Sequence, residues 1–377
     1  MRAETLKEKL NKGVGVVRRS IGKTTNLPIL EGVKISFQKN FLCLTSTNLE
    51  IATQWWILSD IKKTGEIVVP AKILANVIGS TKENKINLEV KDNNLTIKDK
   101  KNKTVIQGLE KEDFPVIPEV NKDSKKKIVV KSEKIKDGLS KVVNCVASSN
   151  IRPEISGVLM NFSKKELTLV ATDSYRLTRK EISLDSKSPV KESVILPQET
   201  AQQLINILSQ TQGELEIYID DNQILFEMNM EETDHPQFQL TSRLIEGHYP
   251  DYDSIIPKKG EITINVSRNE LLDQVKTTSI FSGKINEIKF IIEKPKKGKI
   301  QIEAMNSKFG QSESSVNAQI KGDPINISFN HRYLSDALKT ISTKDIVIHL
   351  IDDEKPALIK PVDDDSYLYV LMPLKAT

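Results

Sequence analysis

The chain has 377 residues, of which 38% are hydrophobic and 28% are charged, and its formal net charge is only +4. This length predicts two or three domains, each able to bury a core. The near balance of charge does not by itself indicate a nucleic-acid partner, so the position of the basic residues matters more than their number. No apolar stretch approaches the roughly 20 residues of a membrane-spanning helix.

The ends and the cysteines indicate a compartment. Met1 to Glu4 lead into a charged amphipathic segment rather than the apolar core of a signal peptide. Cys43 and Cys145, the only two cysteines, both lie in apolar stretches, which favours buried thiols in a reducing cytosol over a disulfide framework. We therefore expect a soluble, cytoplasmic protein.

Four elements are predicted in the first third of the chain. Apolar residues three or four positions apart, from Leu6 to Ile21, indicate an amphipathic helix. A strand with alternating apolar residues Leu42 and Leu44 ends in a small-residue and amide turn at 46–48. An apolar run ending in Pro70 leads into a second helix, because proline fits the first positions of a helix. A hairpin then turns at 92–94.

The same elements recur in the same order in the middle and last thirds, which predicts a triplicated module. In the second copy the pattern residues are Ile135, Leu139, Val142 and Val146, then Leu167 and Leu169, then Ala201, Leu204, Ile205 and Leu208, with a hairpin turn at 220–222. In the third they are Leu271, Leu272 and Val275 after a capping-box pattern of Ser267 and Glu270, then Ile300 and Ile302, then Tyr333, Leu334, Ala337 and Leu338, with a turn at 352–354. Each module is predicted as α+β, with two helices on one side of an antiparallel sheet. The basic stretch 121–127 and the Pro- and Asp-rich stretch 249–259 separate the modules.

Short motifs give this architecture a family. They are TDSYRL at 172–177, YPDY at 249–252 with IIP at 255–257, LPIL at 27–30, DFP at 113–115 and VLMPL at 370–374. With these motifs the whole chain resembles the bacterial sliding clamp, the β subunit of DNA polymerase III.

The resemblance implies three clamp domains, at 1–125, 126–254 and 255–377, and a head-to-tail homodimer that closes into a six-module ring around duplex DNA. Helices would line the hole and touch phosphates without reading sequence, so a moderate net charge suits sliding. The expected function is that of a processivity factor that tethers the replicative DNA polymerase. The clamp loader and repair polymerases would be further partners, at the nucleoid and the replication fork.

DNA contacts are expected from basic residues of the helices and from two loops. The helix candidates are Lys7, Lys9, Lys12, Arg18, Arg19, Lys134, Lys136, Lys141, Arg268, Lys276, Lys284, Arg332 and Lys339. By resemblance the loops contribute Lys23, Thr24, Ser149, Arg152 and Pro153, with Thr24 where an arginine is familiar and Pro153 where an aromatic residue is. For any single lysine, the alternative is an ordinary solvated helix face.

A pocket for short client peptides with apolar anchors is implied between the second and third domains. Its expected wall is Ile155, Thr172, Ser174, Tyr175, Arg176, Leu177, Pro250, Ile255, Asn330, Tyr333, Pro356, Val370, Met372 and Leu374. Leucine, methionine, proline and tyrosine suit an adaptable peptide pocket, although the C-terminal apolar strand, taken by itself, favours core over pocket. Ser174, Tyr175 and Ser254 replace a usual glycine, a frequent histidine and a common arginine, which predicts an altered pocket shape.

The subunit interface is expected to join the first module of one chain to the third module of the other. The candidate edge strand includes Thr104, Ile106 and Gly108, and the candidate apolar anchors are Ile280 and Phe281. The alternative for the two anchors is internal core.

No enzyme signature is found. The four histidines lack metal-ligand spacing, no glycine-rich phosphate loop occurs, and the acidic clusters coincide with hairpin turns. We expect no cofactor and no metal. Two rival functions remain open: a DNA-modifying enzyme with a site at a module junction, using Asp173 or Asp251, and a scaffold that no longer encircles DNA.

Overall fold

The computed structural model describes residues 1–22, 27–122, 127–148, 151–185, 191–258 and 260–375. The helices and strands follow in chain order. The first third contains β1 (Arg2–Leu6), α1 (Lys7–Val17), β2 (Gly32–Gln38), β3 (Phe41–Thr47), β4 (Ile51–Leu58), β5 (Asp60–Lys63), β6 (Gly65–Pro70), α2 (Ala71–Ser80), β7 (Lys85–Lys91), β8 (Asn94–Lys98) and β9 (Lys103–Gln107). The middle third contains β10 (Ile128–Lys131), α3 (Ser132–Val142), β11 (Gly157–Phe162), β12 (Glu166–Thr172), β13 (Arg176–Ser183), β14 (Glu192–Pro197), α4 (Gln198–Leu208), β15 (Glu214–Asp220), β16 (Gln223–Asn229) and β17 (Pro236–Arg243). The last third contains β18 (Ile262–Ser267), α5 (Arg268–Thr278), β19 (Glu287–Ile292), β20 (Lys299–Asn306), β21 (Gly310–Lys321), β22 (Ile325–Asn330), α6 (His331–Thr340), β23 (Asp345–Leu350), β24 (Ala357–Pro361) and β25 (Tyr367–Leu371).

The predicted triple repeat of an α+β module is confirmed by this order. Each third has two helices at corresponding places, and the strand pairs are antiparallel. The first amide of α1 donates to the Asn84 carbonyl at 2.8 Å, that of α3 to Gly213 at 3.0 Å and that of α5 to Lys344 at 2.9 Å. The repeat therefore extends to the hydrogen bond that begins each first helix.

Contacts divide the described chain into two compact units. The first unit comprises Met1–Lys136, Leu184–Val190 and Glu199–Leu244. It holds a five-stranded sheet in the order β5-β1-β7-β8-β9 and an eight-stranded sheet in the order β10-β15-β16-β17-β4-β3-β2-β6. Helix α1 packs on β3 and β4 through Leu10, Val14 and Val17, all at most 1% exposed.

The second unit comprises Asp137–Ser183, Lys191–Gln198 and Ile245–Thr377. Its twelve strands follow the order β14-β11-β12-β13-β25-β24-β23-β18-β21-β20-β19-β22. Helix α5 packs on β20 and β21 through the buried residues Leu271 and Val275. The division into units passes through α3 and α4, so the boundaries 1–125, 126–254 and 255–377 stay a prediction.

Three local predictions need correction. Leu6 ends β1 and is 45% exposed, and Ile21 lies beyond α1, so the first helix is shorter than its apolar pattern. The predicted capping box is wrong, because the Ser267 side chain caps no amide of α5. A tertiary contact, the Lys344 carbonyl, binds the first amide of that helix instead.

Glycines set the distance between the first helix and the sheet in two of the modules. A Cβ at Gly13 would lie 2.7 Å from Trp55 Cδ1 and 3.0 Å from Leu44 Cδ1. At the corresponding Gly138 it would lie 2.6 Å from Ile182 Cδ1. Real side chains do not approach this closely, so the helices could not pack as they do with any larger residue.

Gly13 and Gly15 provide a matched test of this packing. Gly13→Ala is expected to lower the free energy of unfolding by about 1–3 kcal/mol, the usual cost of overpacking a core. Gly15→Ala, with nothing within 4 Å of the added methyl group, is expected to raise it by up to about 1 kcal/mol through helix propensity. Urea unfolding of both variants checks the pair, and a Gly13→Ala protein as stable as Gly15→Ala would contradict the close approach.

Candidate functional site

A tight turn joins β12 to β13 and begins the candidate pocket. Thr172 Oγ1 donates to the Arg176 carbonyl at 2.7 Å, and Asp173 Oδ1 accepts the amides of Tyr175 and Arg176, both at 3.0 Å. Ser174 has φ 76° in the left-handed region. A glycine adopts that conformation without strain, so the turn keeps a glycine-type backbone with a serine in place.

The same turn occurs in the first unit between β3 and β4. Thr47 Oγ1 donates to the Ile51 carbonyl at 2.9 Å, and Asn48 Oδ1 accepts the Ile51 amide at 2.7 Å. Leu49, like Ser174, has φ 76°. The turn chemistry is thus a property of the repeat, whereas the side chains that follow it differ.

Arg176 connects the turn to the third module within the second unit. Its Nε donates to Asp173 Oδ2 at 2.8 Å, its Nη1 to Asp336 Oδ2 at 2.7 Å and its Nη2 to the Asn144 carbonyl at 2.7 Å. The guanidinium lies 4.3 Å from the centroid of the Tyr333 ring, and its side chain is only 10% exposed. A planar, five-donor group suits this arrangement of several partners.

Tyrosines complete this side of the site. The Tyr175 ring is stacked on that of Tyr333 with centroids 6.5 Å apart, and Tyr175 is 63% exposed. The Tyr369 hydroxyl donates to the Tyr333 carbonyl at 2.9 Å, and burial raises the pKa of Tyr369 well above its usual range. That hydroxyl is therefore a permanent donor, which holds the backbone of α6 beneath the exposed Tyr175 ring.

A cavity of about 430 Å³ opens beside this turn, and its wall is mostly apolar. It is lined by Thr172, Ser174, Tyr175, Arg176, Leu177, Ser254, Ile255, Ile256, Pro257, Ile351, Lys355, Pro356, Val370 and Met372. Nine of the predicted pocket residues are among them: Thr172, Ser174, Tyr175, Arg176, Leu177, Ile255, Pro356, Val370 and Met372.

The other predicted pocket residues lie outside that wall. Ile155 is buried, and Asn330 caps α6 by accepting the Arg332 amide. Tyr333 acts through its stacking on Tyr175, and the Leu374 amide donates to the Ser328 carbonyl at 2.8 Å. Pro250 is half-buried and does not line the cavity.

Ile351 and Lys355 line the cavity and, like Ser254, Ile256 and Pro257, were not among the predicted wall residues. They flank the acidic turn after β23, in which Asp352 Oδ1 accepts the Lys355 amide at 2.7 Å. The acidic turn at 352–354 is predicted from the sequence, so the position of Ile351 and Lys355 on either side of it is the signal that could have identified them.

The C-terminal strand serves both the core and the cavity. Leu368 and Val370 of β25 are buried in a cluster with Leu177, which is the core alternative. Val370 and Met372 also line the cavity, and the Met372 amide donates to the Tyr175 carbonyl at 2.9 Å. The two interpretations therefore describe one face of the strand, which is core at Leu368 and cavity wall at Met372, with Val370 belonging to both.

Lys12, Arg19 and Lys136 are among the DNA candidates in the described part of the first unit. Lys12 is exposed, its Nζ donates to the Gln210 carbonyl at 2.5 Å, and it lies 5.7 Å from the centroid of the Trp55 ring. Arg19 is exposed in the 3-10 turn Arg18–Ser20, and Lys136 is half-buried on α3.

Arg332, Arg152, Pro153 and Lys141 are among the candidates in the second unit. Arg332 is exposed in the first turn of α6. Arg152 pairs with Glu154 at 3.0 Å and reaches Ser174 Oγ at 3.3 Å, and Pro153 begins the 3-10 turn beside it. Lys141 is only 15% exposed, pairs with Asp137 at 3.0 Å and covers the Tyr367 ring, so its ammonium has structural partners. Lys23, Thr24 and Ser149 lie outside the described residues.

The predicted interface residues lie at two places. Strand β9 is the edge of the five-stranded sheet and contains Thr104 and the buried Ile106, and the Gly108 amide that follows it donates to the Asn93 carbonyl at 2.7 Å. In the second unit Ile280 is 75% exposed, which makes the core alternative wrong for that residue, and Phe281 is half-exposed beside it.

Three features of the described ranges bear on catalysis. Within them, no three His, Cys, Asp or Glu side chains are placed to hold a metal, and no helix is long and apolar enough to span a membrane. Asp173, one of the two residues proposed for the rival enzyme, has both oxygens engaged by the turn and by Arg176. Burial raises the pKa of the Cys145 thiol to about 11, so it is not a thiolate nucleophile at neutral pH.

Comparison with known proteins decides the family. Models of the N-terminal, central and C-terminal domains of the DNA polymerase III beta subunit match residues 1–118, 129–251 and 253–375. The chain belongs to the DNA polymerase III beta subunit family. The beta sliding clamp of Staphylococcus epidermidis is 28% identical over 369 residues, covering 95% of this chain and 94% of that protein.

Solved structures agree with this assignment. The DNA polymerase sliding clamp of Bacillus subtilis superposes with a TM-score of 0.91 at 25% identity, over the whole of both chains. A sliding clamp of Pseudomonas aeruginosa, solved bound to griselimycin, also gives a TM-score of 0.91 at 25% identity over both whole chains. The family is one of sliding clamps in DNA replication, so the chain has a non-catalytic function, and the rival enzyme is wrong.

Proposed function

We propose that two copies of this beta subunit chain join head to tail into a closed ring of six modules that encircles duplex DNA. The ring tethers the replicative polymerase, which rebinds its template faster than it escapes because its local concentration stays high. Each chain contributes three modules, at 1–125, 126–254 and 255–377.

The pattern of edge strands carries this proposal. In the first unit β4 pairs with β17, and in the second unit β13 pairs with β25 at the corresponding positions of the repeat. The strands left over are β9, which pairs only with β8, and residues 310–317 of β21, which pair only with β20 among the described strands. A third join of the same kind, between β9 of one copy and residues 310–317 of β21 of another, uses both of these edges. Two copies joined head to tail in this way form a ring when the rotation between them closes.

Mass in solution tests the ring. At micromolar concentration the particle is expected to have about twice the chain mass of 42.4 kDa by sedimentation equilibrium. A 42 kDa particle under those conditions would refute the homodimer.

Double-stranded DNA is expected to touch the ring through phosphates alone, with no preference for sequence. The exposed Arg19 and Arg332, with Lys12, Lys136 and Arg152, are the main candidates, and Lys23, Thr24, Ser149 and Pro153 are further ones. Lys141 is the weakest of the set because its charge is paired.

The cavity of the second unit is the proposed client site. Its apolar wall and the exposed Tyr175 suit a short peptide with apolar anchors. The replicative polymerase, the clamp loader and repair polymerases are the proposed clients, in the cytoplasm at the nucleoid and the replication fork.

A further inference from the structure

The register of the proposed subunit join follows from the two joins inside the chain. Thr241 of β17 lies opposite Ala52 of β4, and Val370 of β25 lies opposite Leu177 of β13. Both pairs occupy one position of the repeat, since Ala52 lies opposite Thr47 and Leu177 opposite Thr172, at the turn common to the modules.

The two edges without a partner in the chain, β9 and residues 310–317 of β21, can be aligned by the same positions of the repeat. In the third module Gln311 lies opposite Met305, as Ala52 lies opposite Thr47. In the first module Val105 lies opposite Thr96, the third residue of β8, as in the second module Thr241 lies opposite Leu225, the third residue of β16. Val105 of one copy is therefore the residue to face Gln311 of another, and in an antiparallel pair Lys103 then faces Glu313.

Charge on the outer face of the two edges fits this register. Glu303 and Glu313 lie directly opposite each other on β20 and β21, and Lys98 and Lys103 do so on β8 and β9. Like charges directly opposite one another destabilise a sheet. Lys98 is paired with Glu89 at 3.0 Å, whereas Lys103, Glu303 and Glu313 have no ion pair in the described part of the chain.

A groove of about 330 Å³ lies at the acidic edge. Its wall includes Glu287, Glu303 and Glu313, with Lys289 as its one basic residue. On β9, Lys103 is exposed and Val105 is 54% exposed, whereas Ile106 is buried. On β21, Glu313 is exposed. In this register the outward-facing residues of β9 therefore meet the outward-facing residues of β21. A shift by one residue would turn every side chain to the opposite face.

We propose that Lys103 of one copy enters the acidic groove of a second copy and pairs with its Glu313, next to Glu303. This inference rests on the proposed ring. It adds the ion pair that selects the partner strand and the register of β9 against β21. Lys98 already has Glu89 as a partner and Glu303 lies opposite Lys289, so Lys103 and Glu313 are the members of the two like-charge pairs that gain an opposite charge at the join. A shift by two residues would leave Lys103 opposite Gln311 or Ser315 and lose the ion pair.

Charge reversal tests the pairing through the dimer dissociation constant at low salt. Lys103→Glu and Glu313→Lys are each expected to weaken the homodimer by at least about 10-fold, because like charges then meet at both joins. An equimolar mixture of the two variants is expected to recover wild-type affinity, since each join again has one Lys and one Glu. Lys63→Glu and Glu261→Lys, which change the same charges away from these edges, are expected to match wild type alone and mixed.

Cysteine pairs test the register separately. Val105→Cys with Gln311→Cys in one chain is expected to give a disulfide-linked dimer on oxidation, whereas Val105→Cys with Glu313→Cys is not. The Lys103–Glu313 pairing would be overturned, with the ring intact, by any of three results. These are single charge reversals that leave the dimer affinity unchanged, a mixture of the two variants that stays weakly dimeric, or cross-linking through 105 and 313 instead of 105 and 311. A wild-type chain that remains monomeric would instead refute the ring itself.

Discussion

Arg176→Ala is expected to lower client-peptide affinity by at least about 10-fold and the free energy of unfolding by about 3 kcal/mol. The variant leaves Asp173 and Asp336 without the cation that lies between them, and removing one partner of a largely buried ion pair costs about 3–5 kcal/mol. The lower end applies because Asp336 is 37% exposed. The peptide effect follows because Tyr333 loses the guanidinium on its face and no longer supports Tyr175.

Two further variants make this result specific. Arg176→Lys keeps the charge but cannot reach Asp173, Asp336 and the Asn144 carbonyl at once, so an intermediate loss is expected. Arg243→Ala, an exposed arginine at the end of β17, is expected to change neither quantity. Calorimetric titration with a polymerase C-terminal peptide and urea unfolding supply the two readouts. Wild-type peptide affinity in Arg176→Ala would remove this residue from the site.

Deleting residues 372–377 is expected to abolish client-peptide binding and leave the dimer intact. The deletion removes the Met372 side chain from the cavity wall and the hydrogen bonds from its amide to Tyr175 and from Leu374 to Ser328. Strand β25 ends at Leu371, so its pairing with β13 remains.

A shorter deletion provides the control. Removing only residues 375–377 keeps both hydrogen bonds and is expected to leave the affinity unchanged. Met372→Ala, which retains the backbone, should fall between the two. Fluorescence anisotropy of a labelled client peptide measures all three, and full affinity after the longer deletion would show that the peptide binds elsewhere.

The repeat could be predicted because each of its elements has a local signature. Buried positions such as Leu10, Val14, Leu139 and Val275 recur at helical spacing. The Thr172 turn is similarly local, since its threonine and aspartate make the hydrogen bonds within five residues. The ends of the helices were less predictable, because the first amide of α5 binds a carbonyl distant in sequence, at Lys344.

The pocket was predictable where a motif specifies it and not where tertiary packing does. The residues of TDSYRL and of the C-terminal strand line the cavity, whereas Ile351 and Lys355 enter it only because β24 pairs with β25 and β23 pairs with β24. Tyr333 was assigned to the wall but lies behind Tyr175. Lys141 is a second example, since the spacing of residues along the helix does not indicate that its side chain covers the Tyr367 ring.

Retention on circular DNA is the most direct test of encirclement. Loaded onto a nicked plasmid by a clamp loader, the ring is expected to stay bound through gel filtration in moderate salt and to be lost once a restriction enzyme linearises the plasmid, because a sliding ring runs off free ends. Equal retention on circular and linear DNA would show that the chain holds DNA by contact, and failure to stay on either would contradict a closed ring.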